Sequence, residues 1–251
     1  MDGPRLTEPE PRARGFDVSV AHPARIYNYW PVMAQVARSV RLFLATVVHY
    51  LAADLDIRQF LDIGTGLPTA NNTHQVAQRA VPESRIVYVD NDPIVLSHAR
   101  ALLSSAPAGR CAYVAADARD ADQVLAEAAT TLDFAEPVAV MMLGLLHFIP
   151  DSDDPYSLTA CYLAAVPSGS YLAISHASSD IDPDQQSAAA RTYNTRSATA
   201  ITLRSRPEVA RFFRGLDLIT PGITPLGQWS PGALQTAPGH LPTYTALARK
   251  P

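Results

Sequence analysis

The chain has 251 residues, 47% of them hydrophobic and 18% charged, with a formal net charge of -4. This supplies ample apolar material for a core and argues against a nucleic-acid coat, which presents a basic face. Cys111 and Cys161, the two cysteines, stand far apart in no paired motif, which argues against a disulfide framework or a zinc site.

In chain order, residues 1–19 are rich in proline and charge and read as a mobile tail, leaving 20–251 as one domain. The tail has no apolar stretch of the kind a secretory signal needs. The longest apolar run, 138–149, is too short to span a bilayer. The expectation is a cytoplasmic protein with no membrane partner. Apolar residues at helical spacing over 32–51 predict a helix, with Arg38, Arg41 and His49 on its other faces. A strand over 59–63 runs into Gly64-Thr65-Gly66, and a helix is expected over 69–80. The pattern then continues: a strand over 85–89 ending at Asp90, a helix over 93–104, a strand over 112–115 ending near Asp117, and a helix over 120–132. Next come a strand over 138–143, a helix from 155 to about 165 capped by Asp154, and a strand over 169–175. Helices are further predicted over 183–194 and 207–214, and two closing strands over 216–223 and 244–248. Strands alternating with helices, several apolar throughout, predict an α/β fold with a doubly wound, mostly parallel sheet and an antiparallel last strand.

The central motif is Phe60-Leu61-Asp62-Ile63-Gly64-Thr65-Gly66. Glycines at a strand end allow a sharp turn and a close approach of backbone to ligand. Asp90, roughly 26 residues after Gly64, stands where an acid meets ribose hydroxyls, with Asn91 beside it; helix capping is its plainer role, although Asp92 already fills that place. Asp117 could accept from an adenine amino group while the Ala118 N–H faces a ring nitrogen; a solvated turn aspartate fits equally. Asp62 could receive an ammonium group, or order the loop as a buried carboxylate. Thr69 stands where a dinucleotide fold wants its third glycine, and three carboxylates disfavour a pyrophosphate. S-adenosylmethionine, with a sulfonium and an ammonium against one carboxylate, suits an acidic site.

Residues 57–155 resemble a family of bacterial S-adenosylmethionine-dependent methyltransferases long catalogued as a domain of unknown function. The resemblance is carried by Arg58-Gln59-Phe60-Leu61-Asp62-Ile63-Gly64-Thr65-Gly66-Leu67-Pro68-Thr69, by Val87-Tyr88-Val89-Asp90-Asn91-Asp92-Pro93 and by Leu146-His147-Phe148-Ile149-Pro150-Asp151. Gly169-Ser170-Tyr171-Leu172 and Thr202-Leu203-Arg204-Ser205 extend it, and Ala24-Arg25-Ile26-Tyr27-Asn28-Tyr29 is similar to the family's N-terminal signature. The resemblance implies the Rossmann-like class I methyltransferase fold, with seven strands, and names the cofactor but not the acceptor. In the family the tyrosine signature runs on into a glycine-glycine-lysine-aspartate stretch that is missing here. The expected consequence is an open cofactor site, with binding retained and transfer weak or dependent on a partner.

Methyl transfer needs alignment, and a base only where the acceptor must lose a proton. His147 follows the fourth strand and is the candidate base; a structural histidine fits the same place. His176, after the fifth strand, and Tyr27 and Asn28 are candidate substrate or lid residues. Arg204, Arg206, Arg211 and Arg214 form a basic cluster that could hold an anionic acceptor. Asp151, Asp153 and Asp154 are better explained by turns and caps than by a metal. The expected partner is a small-molecule acceptor, with no nucleic acid and no metal; the oligomeric state stays open, a homodimer included. The alternatives are a protein of this fold that binds S-adenosylmethionine without turnover and an NAD(P)-dependent oxidoreductase.

Overall fold

The computed structural model describes residues 31–68, 70–95, 97, 106–234 and 241–251. The chain opens with α1 (Pro31–Ala53) and continues β1 (Gln59–Ile63), α2 (Thr73–Ala80), β2 (Arg85–Asp90), β3 (Arg110–Ala115), α3 (Ala121–Ala128) and β4 (Ala139–Leu143). After two short 3-10 turns come α4 (Pro155–Ala164), β5 (Tyr171–Ala177), α5 (Pro183–Asn194) and α6 (Arg206–Ala210). The closing segment holds β6 (Asp217–Leu218), β7 (Thr224–Leu226), β8 (Trp229–Ser230), β9 (Ala233–Leu234) and β10 (Leu241–Arg249).

Seven strands lie in the order β3-β2-β1-β4-β5-β10-β6, and β7 joins the sheet on β10 as an eighth. The first five are parallel, while β10 runs antiparallel to β5 with Tyr244 opposite His176. Strand order reverses between β1 and β4, the switch point at which open α/β sheets leave a crevice beyond their strand ends. Alternate residues of the apolar strands feed two cores. Leu61, Val87, Val140 and Leu172 pack with α3, α4 and α6. Phe60, Ile86, Met141 and Ala173 pack with α1 and α2. Helix α1 passes a length and hydropathy test for a membrane span over Ala34–Ala53. Its Val47, Val48 and Leu51 are nevertheless wholly buried in the second core, the placement of a core helix.

Several boundaries differ from the sequence reading, two of them for a plain local reason. Helix α2 starts at Thr73, not 69, because Asn71 takes a positive φ of 60° and Asn72 forms the N-cap, its N–H donating to Gln75 Oε1 at 2.9 Å. The single strand expected over 216–223 is broken. Pro221 lacks a ladder donor and Gly222 turns at a φ of 82°, so β6 ends at Leu218 and β7 starts afresh at Thr224. The proline- and glycine-rich connection also holds the small β8–β9 hairpin. By contrast, Asp154 caps α4 as expected, accepting from the Ser157 N–H at 3.1 Å. The helix expected over 93–104 lies for the most part outside the described residues.

Candidate functional site

The β1–β2 ladder continues into the glycine loop: the N–H groups of Gly64 and Thr65 both donate to Val89 O, at 2.8 and 3.3 Å. Gly64 and Gly66 have φ values of 73° and 65°, which L side chains avoid. A Cβ on Gly64 would stand 2.8 Å from Leu145 Cδ1 on the loop after β4, so the two switch-point loops are in contact. Among the described residues, a Cβ on Gly66 would meet nothing within 4 Å. This strand end therefore offers backbone that no described residue covers.

Three acids surround that backbone. Asp62 is buried, accepting from Thr73 Oγ1 at 2.6 Å; burial pushes its carboxyl up to about 6, against the opposing pull of Thr73 and of Arg41. The Asp90 carboxylate accepts the Gly66 N–H on one oxygen and the Asp92 N–H on the other, both at 2.9 Å. It thus holds the loop in place, while the Asp92 side chain does the capping, taking the Ile94 N–H at 2.9 Å. Asp117 accepts four times: from the Arg119 N–H and Nε at 2.9 Å each, from Arg119 Nη2 at 2.7 Å and from Asn91 Nδ2 at 3.1 Å. Hydrogen bonds from Arg119 hold its carboxyl down, at about 2. Arg119 also reaches Asp153, at 3.0 Å. A carboxylate has about four lone-pair sites. Those of Asp117 are filled, so Asp117 meets an adenine amino group only by releasing Arg119 or Asn91. Ala118 is buried nearby, its carbonyl accepting from Tyr162 Oη at 2.7 Å.

The opposite rim, after β4 and β5, is arranged around a residue the sequence reading placed elsewhere. Arg204 is 1% exposed and all five of its N–H donors are engaged. Nη1 donates to Leu146 O at 2.9 Å and His176 Nε2 at 2.8 Å. Nη2 donates to Ile149 O at 2.9 Å and Asp151 Oδ1 at 2.7 Å, and Nε reaches the same Oδ1 at 3.2 Å. Its guanidinium carbon lies 5.8 and 5.6 Å from the ring centroids of Tyr156 and Phe212. One member of the expected basic cluster is thereby corrected: Arg204 braces the interior, while Arg206 bonds Ile223 O and Arg211 stacks at 3.9 Å on Tyr156. A charge with all its donors engaged inside the protein has nothing left for an anion.

Because Arg204 can only donate, His176 Nε2 is an acceptor and Nδ1 carries the proton, given to Ala177 O at 2.8 Å. Burial keeps this ring neutral, its pKa down at about 3. His176 sits under the rim with both nitrogens engaged, and not in a lid. His147 stacks edge-on against it, ring centroids 5.6 Å apart. Its Nδ1 is buried without a partner among the described residues, and burial beside His176 and Arg204 drives its pKa well below the usual histidine value. Its backbone carbonyl accepts the Thr202 N–H at 2.8 Å. Tyr27 and Asn28, and with them the expected opening on that side, lie outside the described residues.

One contact escaped the sequence reading. Arg41 of α1, assigned there only to a solvent face, donates Nη2 to Leu67 O at 2.9 Å, reaching the glycine loop from 26 residues away.

A family model described as S-adenosyl methyltransferase (Methyltransf_19) matches residues 30–251. The chain belongs to the S-adenosyl methyltransferase family. It is 40% identical to a DUF574 family protein from Streptomyces avermitilis MA-4680, over 94% of this chain and 99% of that one, with a TM-score of 0.88. It is 32% identical to a candidate methyltransferase from Thermobifida fusca YX, over 90% of this chain and 85% of that one, with a TM-score of 0.79. The N-methyltransferase NodS from Bradyrhizobium japonicum WM9, solved with S-adenosyl-L-homocysteine, shares the fold at 13% identity and a TM-score of 0.50, over 90% of each chain. No curated protein matches. The family's methyl donor agrees with the groups found here: space left open over Gly66 by the described residues, the Asp90 carboxylate on the glycine loop, and a buried acid at Asp62.

Proposed function

We propose that the chain transfers a methyl group from S-adenosylmethionine to a small-molecule acceptor approaching over the ends of β4 and β5. The observation that carries the reading is the Gly66 backbone, left open by the described residues and flanked by Asp62 and Asp90 at the switch point of the sheet. S-adenosylmethionine, when bound, supplies an electrophilic methyl group on sulfur. Asp90 would hold the ribose hydroxyls, and Asp62 the ammonium group. Gly64, Thr65 and Gly66 would line the loop, and Asn91, Asp117 and Ala118 the adenine end once Arg119 yields. The rim after β4 supplies a wall rather than a proton acceptor: His147 and His176 are both kept neutral by burial, and both nitrogens of His176 are engaged. The reading is therefore transfer by positioning, to an acceptor already nucleophilic at neutral pH. The same observation favours the second reading, a protein that binds the cofactor with little turnover.

Calorimetry with S-adenosylmethionine, S-adenosylhomocysteine, NAD and NADP tests the cofactor. Binding of the two sulfur ligands alone is expected, and binding of NAD alone would sink the proposal. A screen of metabolite extracts with methyl-labelled cofactor then separates the two readings. Label carried into a small molecule supports the enzyme; tight binding with no label transferred supports the binding protein. A cytoplasmic location and a partnership limited to small molecules, with no membrane or nucleic acid, belong to the same proposal.

A further inference from the structure

The geometry points to Arg41 as the residue that receives the α-carboxylate of S-adenosylmethionine, an assignment that rests on the methyltransferase reading above. An amino-acid ligand carries its ammonium and its carboxylate on one carbon, so a group that holds the carboxylate must stand beside the group that holds the ammonium. Arg41 does. It projects from α1, which packs on the same core as Phe60, Ile86 and Tyr88, the face to which the alternation of β1 also turns Asp62. Its Nη2 donates to Leu67 O at 2.9 Å, which brings the guanidinium to the glycine loop itself. Its charge is felt by Asp62 on β1 and by Tyr113 on β3, where it favours the ionised form of each.

The donors are also available. Arg41 is half-buried, and the bond to Leu67 O is the one contact its guanidinium makes among the described residues, which leaves the Nη1 and Nε hydrogens to offer. The other arginines near the strand ends are committed: Arg119 to Asp117 and Asp153, Arg204 through five bonds to four acceptors, Arg79 to Asn71. Charge complementarity agrees. Asp62 and Asp90 face a ligand with two positive centres, and the ligand's single negative group needs a cation in a site otherwise acidic. A planar guanidinium anchored on one side by a backbone carbonyl can turn its remaining edge to a carboxylate with little loss of freedom.

The test uses three ligands against the full-length protein: S-adenosylmethionine, its decarboxylated form, and 5′-methylthioadenosine, which lacks the amino-acid end altogether. Arg41→Gln is expected to weaken S-adenosylmethionine roughly 10- to 100-fold in calorimetry, the loss of one or two charge-assisted bonds. The decarboxylated ligand and methylthioadenosine should stay within about twofold of wild type. Arg41→Lys, which keeps the charge but loses the fork, should fall between and remains the test should the glutamine variant fail to melt cooperatively. Equal losses on all three ligands, or no loss on any, would overturn the assignment and make Arg41 a brace for the loop. Failure of the wild type to bind any of the three overturns the methyltransferase reading, and the assignment with it.

Discussion

The two rims of the crevice both carry charged side chains and use them in opposite ways. On the β1–β2 side, Asp90 holds the Gly66 N–H and Asp62 the Thr73 hydroxyl, beside a Gly66 backbone that no described residue covers. On the β4–β5 side, Arg204 fills its five donors with the protein's own carbonyls, a histidine and Asp151. A polar group binds a ligand only with the capacity that folding leaves unused. The second rim converts that capacity into rigidity, while the first presents the Gly66 backbone, which no described residue covers. Asp117 lies between these cases, at the ligand's expected edge but saturated by Arg119 and Asn91.

The largest expected effect is at the rigid rim. Arg204→Met should destabilise the fold by at least about 3 kcal/mol, because it leaves buried carbonyls of Leu146 and Ile149 and the His176 acceptor unpaired at about 1–3 kcal/mol each. Urea unfolding measures this, and a loss below about 1 kcal/mol would show that Arg204 is no brace.

Asp62 sharpens the contrast through pH. Its carboxyl rises from 3.8 to about 6 on folding, so the folded state binds the proton more tightly than the unfolded chain. The resulting stability is complete below about pH 4 and is lost as pH rises through about 6. Asp62→Asn should flatten this dependence and exceed wild-type stability at pH 7 by up to about 3 kcal/mol, from roughly two pH units at 1.36 kcal/mol each. Parallel pH profiles of the two proteins between pH 4 and 7 would refute the burial cost assigned to Asp62.

Asp90 and Asp117 can be set against each other in cofactor calorimetry. Asp90→Ala should cost roughly 1.5–3 kcal/mol of binding per ribose bond lost, and slightly loosen the Gly66 turn as well. Asp117→Ala should cost well under half of that, since its lone pairs already serve Arg119 and Asn91. Equal losses would mean that Arg119 gives way to adenine without penalty.

The smallest effect belongs to His147. With Nδ1 buried and unpartnered among the described residues, His147→Phe removes an unsatisfied group and should change stability by less than about 1 kcal/mol. Cofactor affinity should stay near wild type. A large loss of either would reveal a partner for the ring and restore His147 as a candidate base.

The strand before Gly64, the positive-φ glycines, the acid ending β2 and the Asp154 cap on α4 were all legible in the sequence, because each is a local matter of periodicity, backbone freedom or a side chain reaching three residues along. The order of helices and strands likewise fixed a doubly wound sheet. Residue type and position could nominate Asp62, Asp90, Asp117, His147 and Arg204, but not say which of them keeps unused hydrogen-bonding capacity. That depends on partners far away in the chain. Arg204 meets Leu146 across 58 residues, Arg41 meets Leu67 across 26, and Gly66 meets Asp90 across 24. Arg204 looked like one of four surface cations because sequence shows charge and not burial. Only the closing of β4, β5 and the 3-10 turns around it decided that it is a brace. Only the packing of α1 on the sheet brought Arg41 to the loop, since helix periodicity places a side chain on a face but cannot say what that face meets.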